Sequence, residues 1–165
     1  MPFRGIENDP LRNFKFRVTI GSAGGRTGFS KVSGLKESTE VVEYREGTDP
    51  ATMRKLFGQT SYDNVTFEHG ITNDPTLINW RRQITDAASG AGKGPAGEGD
   101  GGDEVRRNIA VDVIEYHGRS KAAWRFELLL AWPVTWELGE LAGDGNDVLI
   151  ESMEVAHEGL RTTPP

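Results

Sequence analysis

The sequence contains no cysteine, so neither a disulfide nor a thiolate metal site can hold the fold together. That composition suits a reducing cytoplasm. Long apolar runs are also missing: the longest, Leu128-Leu129-Leu130-Ala131-Trp132, falls far short of a membrane span. The first residues, Met1-Pro2-Phe3-Arg4-Gly5, lack the apolar stretch of a signal peptide, and the expectation is a chain with no secretion signal of its own. Basic excess is absent too. Nineteen lysines and arginines face 25 acidic residues, a net charge of −6. Such a balance argues against a general nucleic-acid binder, whose surface must neutralise phosphates, and against docking on an anionic membrane. The length, 165 residues, fits one domain with a core that needs no staples.

Catalytic and metal motifs are incomplete wherever they begin. Gly90-Ala91-Gly92-Lys93 starts like a phosphate loop, but Ala87 stands where its first glycine belongs and Gly94 where the magnesium-binding hydroxyl belongs. Asp144-Gly145-Asn146-Asp147 starts like a calcium loop, but Leu149 and Val155 replace its glycine and its bidentate glutamate. The three histidines, His69, His117 and His157, share no metal-ligand spacing and read as surface or rim residues. No G-x-S-x-G elbow occurs. The expectation is a protein without catalytic residues, metal or cofactor. The tryptophans Trp80, Trp124, Trp132 and Trp136 suit core and interface packing, the alternative being a stacking platform for a sugar or peptide.

What is present is mostly a period of two. In Phe14-Lys15-Phe16-Arg17-Val18-Thr19-Ile20 apolar and polar residues alternate strictly, the mark of a strand with one buried face. Weaker strands are expected at Phe29 to Val32 and Thr39 to Tyr44. Gly47-Thr48-Asp49-Pro50 interrupts the pattern, and Met53 to Gly58, which shows no clean period, reads as an ordered loop. Asn64 to His69 is a strand with Val65 and Phe67 on one side and Thr66 and Glu68 on the other. One helix follows. Asn73 or Asp74 can cap it, Pro75 suits its first turn, and Leu77, Trp80 and Ile84 form its apolar stripe.

Seven of the fifteen residues 89–103 are glycine and none is a large apolar one, so this stretch cannot bury enough surface to offset its ordering entropy. It reads as a flexible excursion, at about 88–103, inside a single domain spanning 1–165. Strands resume at Asn108 to Tyr116 and Ala122 to Leu130, with an extension to Trp136 past a kink at Pro133. A last strand is expected from Val148 to about His157. The fold class is therefore mainly β: an antiparallel barrel or sandwich with one flanking helix.

Several segments, taken in order, resemble the inner tube protein family of contractile phage tails and related injection systems. They include Asp9-Pro10-Leu11-Arg12-Asn13-Phe14, Phe29-Ser30-Lys31-Val32-Ser33-Gly34-Leu35, Val42-Glu43-Tyr44-Arg45-Glu46-Gly47 and Met53-Arg54-Lys55-Leu56. Further along stand Asn64-Val65-Thr66-Phe67-Glu68-His69-Gly70, Trp80-Arg81, Ala131-Trp132-Pro133-Val134-Thr135-Trp136 and Glu154-Val155-Ala156-His157-Glu158-Gly159-Leu160. The family often carries proline and glycine after the leucine of the Arg-Lys-Leu segment; Phe57-Gly58 follows Leu56 here.

The resemblance implies a tail-tube fold whose copies form hexameric rings that stack into a hollow tube. Sheath protein surrounds such a tube, baseplate and capping proteins bound it, and contraction propels it with DNA or effector protein in the lumen. A structural part built in the bacterial cytoplasm and belonging to a tail or an injecting particle follows, with no membrane binding by the subunit. The other open class is a monomeric β-barrel module binding carbohydrate or peptide. Contacts between subunits and rings are expected along Arg45 to Gly58, through Arg45, Glu46, Asp49, Arg54, Lys55, Leu56 and Phe57. A lumen should not grip a polyanion, because contacts repeated on every ring multiply. Glu40, Glu43, Asp112, Glu115 and Glu127 are its expected acidic lining.

Overall fold

The computed structural model describes residues 15–21, 28–45, 47, 53–89, 105–114, 122–141 and 147–164. The glycine-rich stretch from Gly90 onward and residues 115–121 and 142–146 lie outside them. Strand β1 (Phe16–Ile20) pairs antiparallel with β6 (Arg107–Ile114), which pairs with β7 (Ala122–Leu138). Beyond β7 come β8 (Ile150–Ala156), β5 (Val65–Gly70) and β2 (Lys31–Ser33), while β9 (Gly159–Thr163) pairs with the first half of β7. Among the described residues the result is a mainly β, wholly antiparallel fold with one helix, α1 (Thr76–Ser89).

Strand β7 makes the sheet turn on itself. Its N-terminal half pairs with β6 and β9, and its C-terminal half, Trp132 to Leu138, pairs with β8. Between the halves Leu130 adopts φ 52°, a left-handed conformation that a branched side chain rarely takes. The amide of Leu130 is held there by a hydrogen bond to Asn108 Oδ1 at 3.0 Å. The kink expected at Pro133 is present as a register shift between Pro133 and Thr135, and the sharper backbone change lies three residues earlier.

The alternation seen in the sequence is the burial pattern. Val18 and Ile20 on β1, Val65 and Phe67 on β5, Ile109 and Val111 on β6, and Met153 and Val155 on β8 all point into one core. Leu77 and Trp80 of α1 close it from the side, and Trp80 Nε1 donates to the carbonyl of Val105 at 2.7 Å. His69 corrects its expected place. It continues the buried face of β5 and is 2 % exposed. Its Nε2 sits 2.6 Å from Oε1 of Glu151, outside hydrogen-bond geometry, while Glu151 Oε2 accepts from Trp136 Nε1 at 2.8 Å. His157 ties two corners together, its ring nitrogens lying 3.0 and 3.1 Å from the carbonyls of Gly159 and Asp63.

Helix α1 begins where its cap allows. Asp74 Oδ1 accepts from the Thr76 amide at 3.1 Å and from the Thr76 hydroxyl at 2.5 Å, and these bonds hold its pKa below the ordinary value. A carboxylate stabilised in this way contributes above the ordinary aspartate range, and its contribution fades as pH falls through the folded-state pKa. Replacing Asp74 with alanine is therefore expected to lower the melting temperature at pH 7, with the gap between variant and parent narrowing below about pH 4. Melting curves of both proteins across pH 3 to 8 check this; a gap that stays constant would contradict it.

Two strands were not legible beforehand. Met53 to Gly58 is no loop: Arg54–Tyr62 forms β4, paired with β3 (Glu37–Tyr44). Strand β9 follows directly on the expected end of the chain's last strand at His157. Together β3 and β4 make a separate two-stranded sheet.

Candidate assembly surface

The β3–β4 hairpin leaves the body at one narrow base. The Asp63 amide donates to the Lys36 carbonyl at 3.2 Å, and Lys36 Nζ lies 2.7 Å from Asp63 Oδ2. Nearest the base the two strands are joined by hydroxyls, Ser38 with Ser61 at 3.1 Å and Thr39 with Thr60 at 2.9 Å. A bulge follows between Thr39 and Val41, after which Val41 faces Phe57, Val42 faces Leu56, Glu43 faces Lys55 and Tyr44 faces Arg54. Gly58 sits at this bulge. A side chain there would come within 3.1 Å of Val42 and 3.2 Å of Glu40.

Every residue of β3 is exposed, and of β4 only Gly58 and Tyr62 are even half-buried. Phe57 is 90 % exposed, Val41 58 % and Leu56 49 %. An isolated two-stranded hairpin is at best marginally stable in water, and contiguous exposed apolar side chains mark interaction sites. Strand side chains alternate between faces. Val41, Glu43, Lys55 and Phe57 therefore share one face, while Glu40, Val42, Tyr44, Arg54 and Leu56 share the other. The contact of the Gly58 position with both Glu40 and Val42 agrees with that division. Each face carries an apolar pair next to an oppositely charged or polar pair.

The expected contact residues separate accordingly. Arg54, Lys55, Leu56 and Phe57 are strand residues divided between two faces, Arg45 is exposed just beyond β3, and Glu46 and Asp49 lie outside the described residues. The expected lumen carboxylates separate further. Glu40 and Glu43 project from opposite faces of the hairpin and form no ion pair among the described residues. Glu115 lies outside the described residues. Glu127 stands 3.7 Å from Arg161 on β9.

Asp112 lies on the face away from the core residues Ile109 and Val111 but is not itself wet as expected. It is 4 % exposed, and Arg125 grips both carboxylate oxygens from Nε and Nη2 at 2.7 and 3.0 Å. The hydrogen bond first and the charge of Asp112 second raise the already high pKa of Arg125, so the exposed end of this pair is permanently cationic. Arg17 stands directly across from Asp112 on β1, which makes the row Arg17, Asp112, Arg125 net positive.

Where the end of β1, the start of β6, the middle of β7 and β9 meet, a cavity of about 730 Å³ opens to solvent. Ile20 and Ile109 lie beneath it, Leu129 and Leu130 form a wall, and Arg106, Arg107 and Arg161 stand around it. Arg106 is paired with Glu158. Sequence reasoning missed this cavity because its residues come from four separate strands.

The tryptophans form no common platform. Trp80 is in the core, Trp136 bonds Glu151, and Trp124 stacks on Phe126 at 6.2 Å near the start of β7. Among the described residues no group of acidic or histidine side chains could hold a metal ion, and no helix is long and apolar enough to cross a membrane.

The family model described as T4-like virus tail tube protein gp19 matches residues 12–161. No curated protein matches the chain significantly in sequence. Among solved structures, a chain of the sheath–tube complex of PVC, an extracellular contractile injection system, in its extended state superposes with TM-score 0.73 at 18 % identity, over 96 % of this chain and 94 % of that one. A chain from the six-fold symmetrised baseplate of the anti-feeding prophage AFP gives 0.74 at 21 % identity, over 94 % and 97 %. One from the AFP tube-terminating cap gives 0.73 at 17 % identity, over 95 % and 93 %. At these identities the likeness is one of fold.

Proposed function

Because this chain belongs to the tail tube protein family of T4-like viruses, we propose that six copies close into a ring and that rings stack into a hollow tube, which sheath contraction drives through a target envelope to deliver DNA or effector protein. The observation that carries this reading is the β3–β4 hairpin, exposed on both faces and paired with no third strand among the described residues. Unpaired edges and apolar faces are satisfied by neighbouring copies, and a heterologous contact that closes gives a symmetric ring. The role is structural, not catalytic. Sheath, baseplate and cap proteins are the proposed partners, in line with the particles in which proteins of this fold are found. Assembly takes place in the bacterial cytoplasm, from a single domain in which the glycine-rich stretch is an insertion.

The hairpin joins the inner wall, its Glu40 face toward the lumen and its Phe57 face toward a neighbouring copy. Glu40 is the exposed carboxylate on the lumen-facing side that forms no ion pair among the described residues, and there it repels an acidic cargo. Purified full-length protein is expected to elute as rings or longer assemblies in size-exclusion chromatography with light scattering. Electron microscopy should show six-fold rings with Glu40 facing the channel. A monomer at every concentration and salt would overturn the tube reading in favour of a monomeric binding module. A reconstruction with Glu40 outside the channel would overturn the lumen assignment.

A further inference from the structure

Two surfaces described above are each incomplete in the subunit, and their chemistry is complementary. The first is the Phe57 face of the hairpin: an aromatic ring 90 % exposed, Val41 beside it, and Glu43 across from Lys55, with no ion pair formed by Glu43 among the described residues. The second is the cavity between β1, β6, β7 and β9. Its wall is apolar through Leu129 and Leu130, the latter 41 % exposed. Its cations are incompletely neutralised. The Arg107 guanidinium lies 5.2 Å over the Trp80 ring and donates to Gln83 Oε1 at 3.1 Å, with no carboxylate partner among the described residues. Arg161 is only loosely held, 3.7 Å from Glu127.

We propose that the Phe57 face of one copy docks in this cavity of a second copy, placing Phe57 against Leu129 and Leu130 and Glu43 toward Arg107 and Arg161. A cavity of about 730 Å³ has ample room for one aromatic side chain. The occupant is another copy because knob and socket are different surfaces carried by the same chain. Such a contact leaves each copy with one free knob and one free socket, so it propagates until a ring closes. Glu43 meets two guanidinium groups there, and charge-assisted bonds of this kind fix the orientation that an apolar knob alone would leave free. This assignment rests on the tube reading and goes beyond it by naming both sides of the contact.

The absence of native cysteine makes the test clean, since any disulfide must form between introduced residues. Full-length Phe57→Cys and Leu130→Cys variants are mixed, assembled and oxidised mildly. A disulfide requires Cα atoms within about 7 Å. The expected product is a covalent dimer from the mixture, absent from either variant alone and from Phe57→Cys mixed with Arg82→Cys on the exposed side of α1. Tubes that assemble from the mixture without cross-linking would overturn the contact and leave the tube reading standing. Equal cross-linking of Phe57→Cys with itself would overturn it in favour of a symmetric contact.

A second measurement needs no cysteine. Glu43→Arg and Arg161→Glu should each reduce assembled mass by about 3- to 10-fold, and the double variant should restore it, in keeping with coupling across a charge pair. Additive losses in the double variant would overturn the pairing. If the unmodified protein makes neither rings nor tubes, the tube reading itself fails, which is a different result from either of these.

Discussion

Replacing Leu56 and Phe57 together with aspartate is expected to leave a folded subunit that no longer builds rings or tubes. Neither side chain supports the core; Leu56 is 49 % exposed and Phe57 90 %. Exposed substitutions of this kind usually change stability by less than about 0.5 kcal/mol. The assembly loses far more. Each apolar side chain contributes about 1.5–3 kcal/mol when fully buried. A carboxylate placed in the same contact without a partner adds a desolvation penalty of several kcal/mol. The two residues occupy opposite faces of the hairpin: the Phe57 face is the one assigned to the neighbouring copy, while Leu56 shares the lumen-side face with Glu40. Circular dichroism and melting should match the parent, while light scattering reports monomer and microscopy shows no tubes. Tubes of normal length would mean that the hairpin is not a contact. The single variants separate the faces: Phe57→Asp is expected to account for most of the loss.

Gly34→Ala is expected to have the largest effect on the fold itself. Gly34 adopts φ 92° in the corner between β2 and β3. A Cβ there would stand 2.3 Å from the carbonyl oxygen of Asn64 and 3.3 Å from the Cα of Val65. Neither atom can yield cheaply, because Val65 is fully buried and pairs with Val155 in the sheet. Strain and displaced backbone together should cost on the order of 3 kcal/mol. For a domain of this size that lowers the melting temperature by about 10 °C. Gly28→Ala is the control, since a Cβ at that position meets nothing within 4 Å. Equal melting temperatures for the two variants would show that the corner relaxes.

Most elements legible in the sequence have one buried face; β3 is the exception, expected at Thr39 to Tyr44 although all of its residues are exposed. Val18 and Ile20, Val65 and Phe67, and Leu77 and Trp80 write their periods because the core selects them. Strand β4 has no buried face in the subunit, so its first half carries no alternation, and Met53 to Gly58 reads as a loop. Strand β9 offers only Leu160 to the core side, too little for a pattern. His69 looked ordinary because burial beside Glu151 depends on a partner more than eighty residues away in sequence. The contact residues were half legible. An apolar pair at Leu56 and Phe57 is conspicuous in a polar stretch, but its division between two faces needs the register with Val42 and Val41. Asp112 reads as a wet-face carboxylate until Arg125 is seen to cover it. The cavity that Leu129 and Leu130 help to wall has no linear signature at all.

The single strand β7 gives the subunit a mechanical property. Its seventeen residues run without a break from the part of the sheet containing β1, β6 and β9 to the part containing β5 and β8. A push applied to one part therefore reaches the other along covalent backbone, with no internal seam at which the two could slide. Hydrogen bonds between strands contribute only about 1 kcal/mol each, but those flanking β7 lie across its axis and must shear together before it slips. Under axial load in the proposed tube such a subunit would act as one stiff block, and the weakest links would be the joints between blocks.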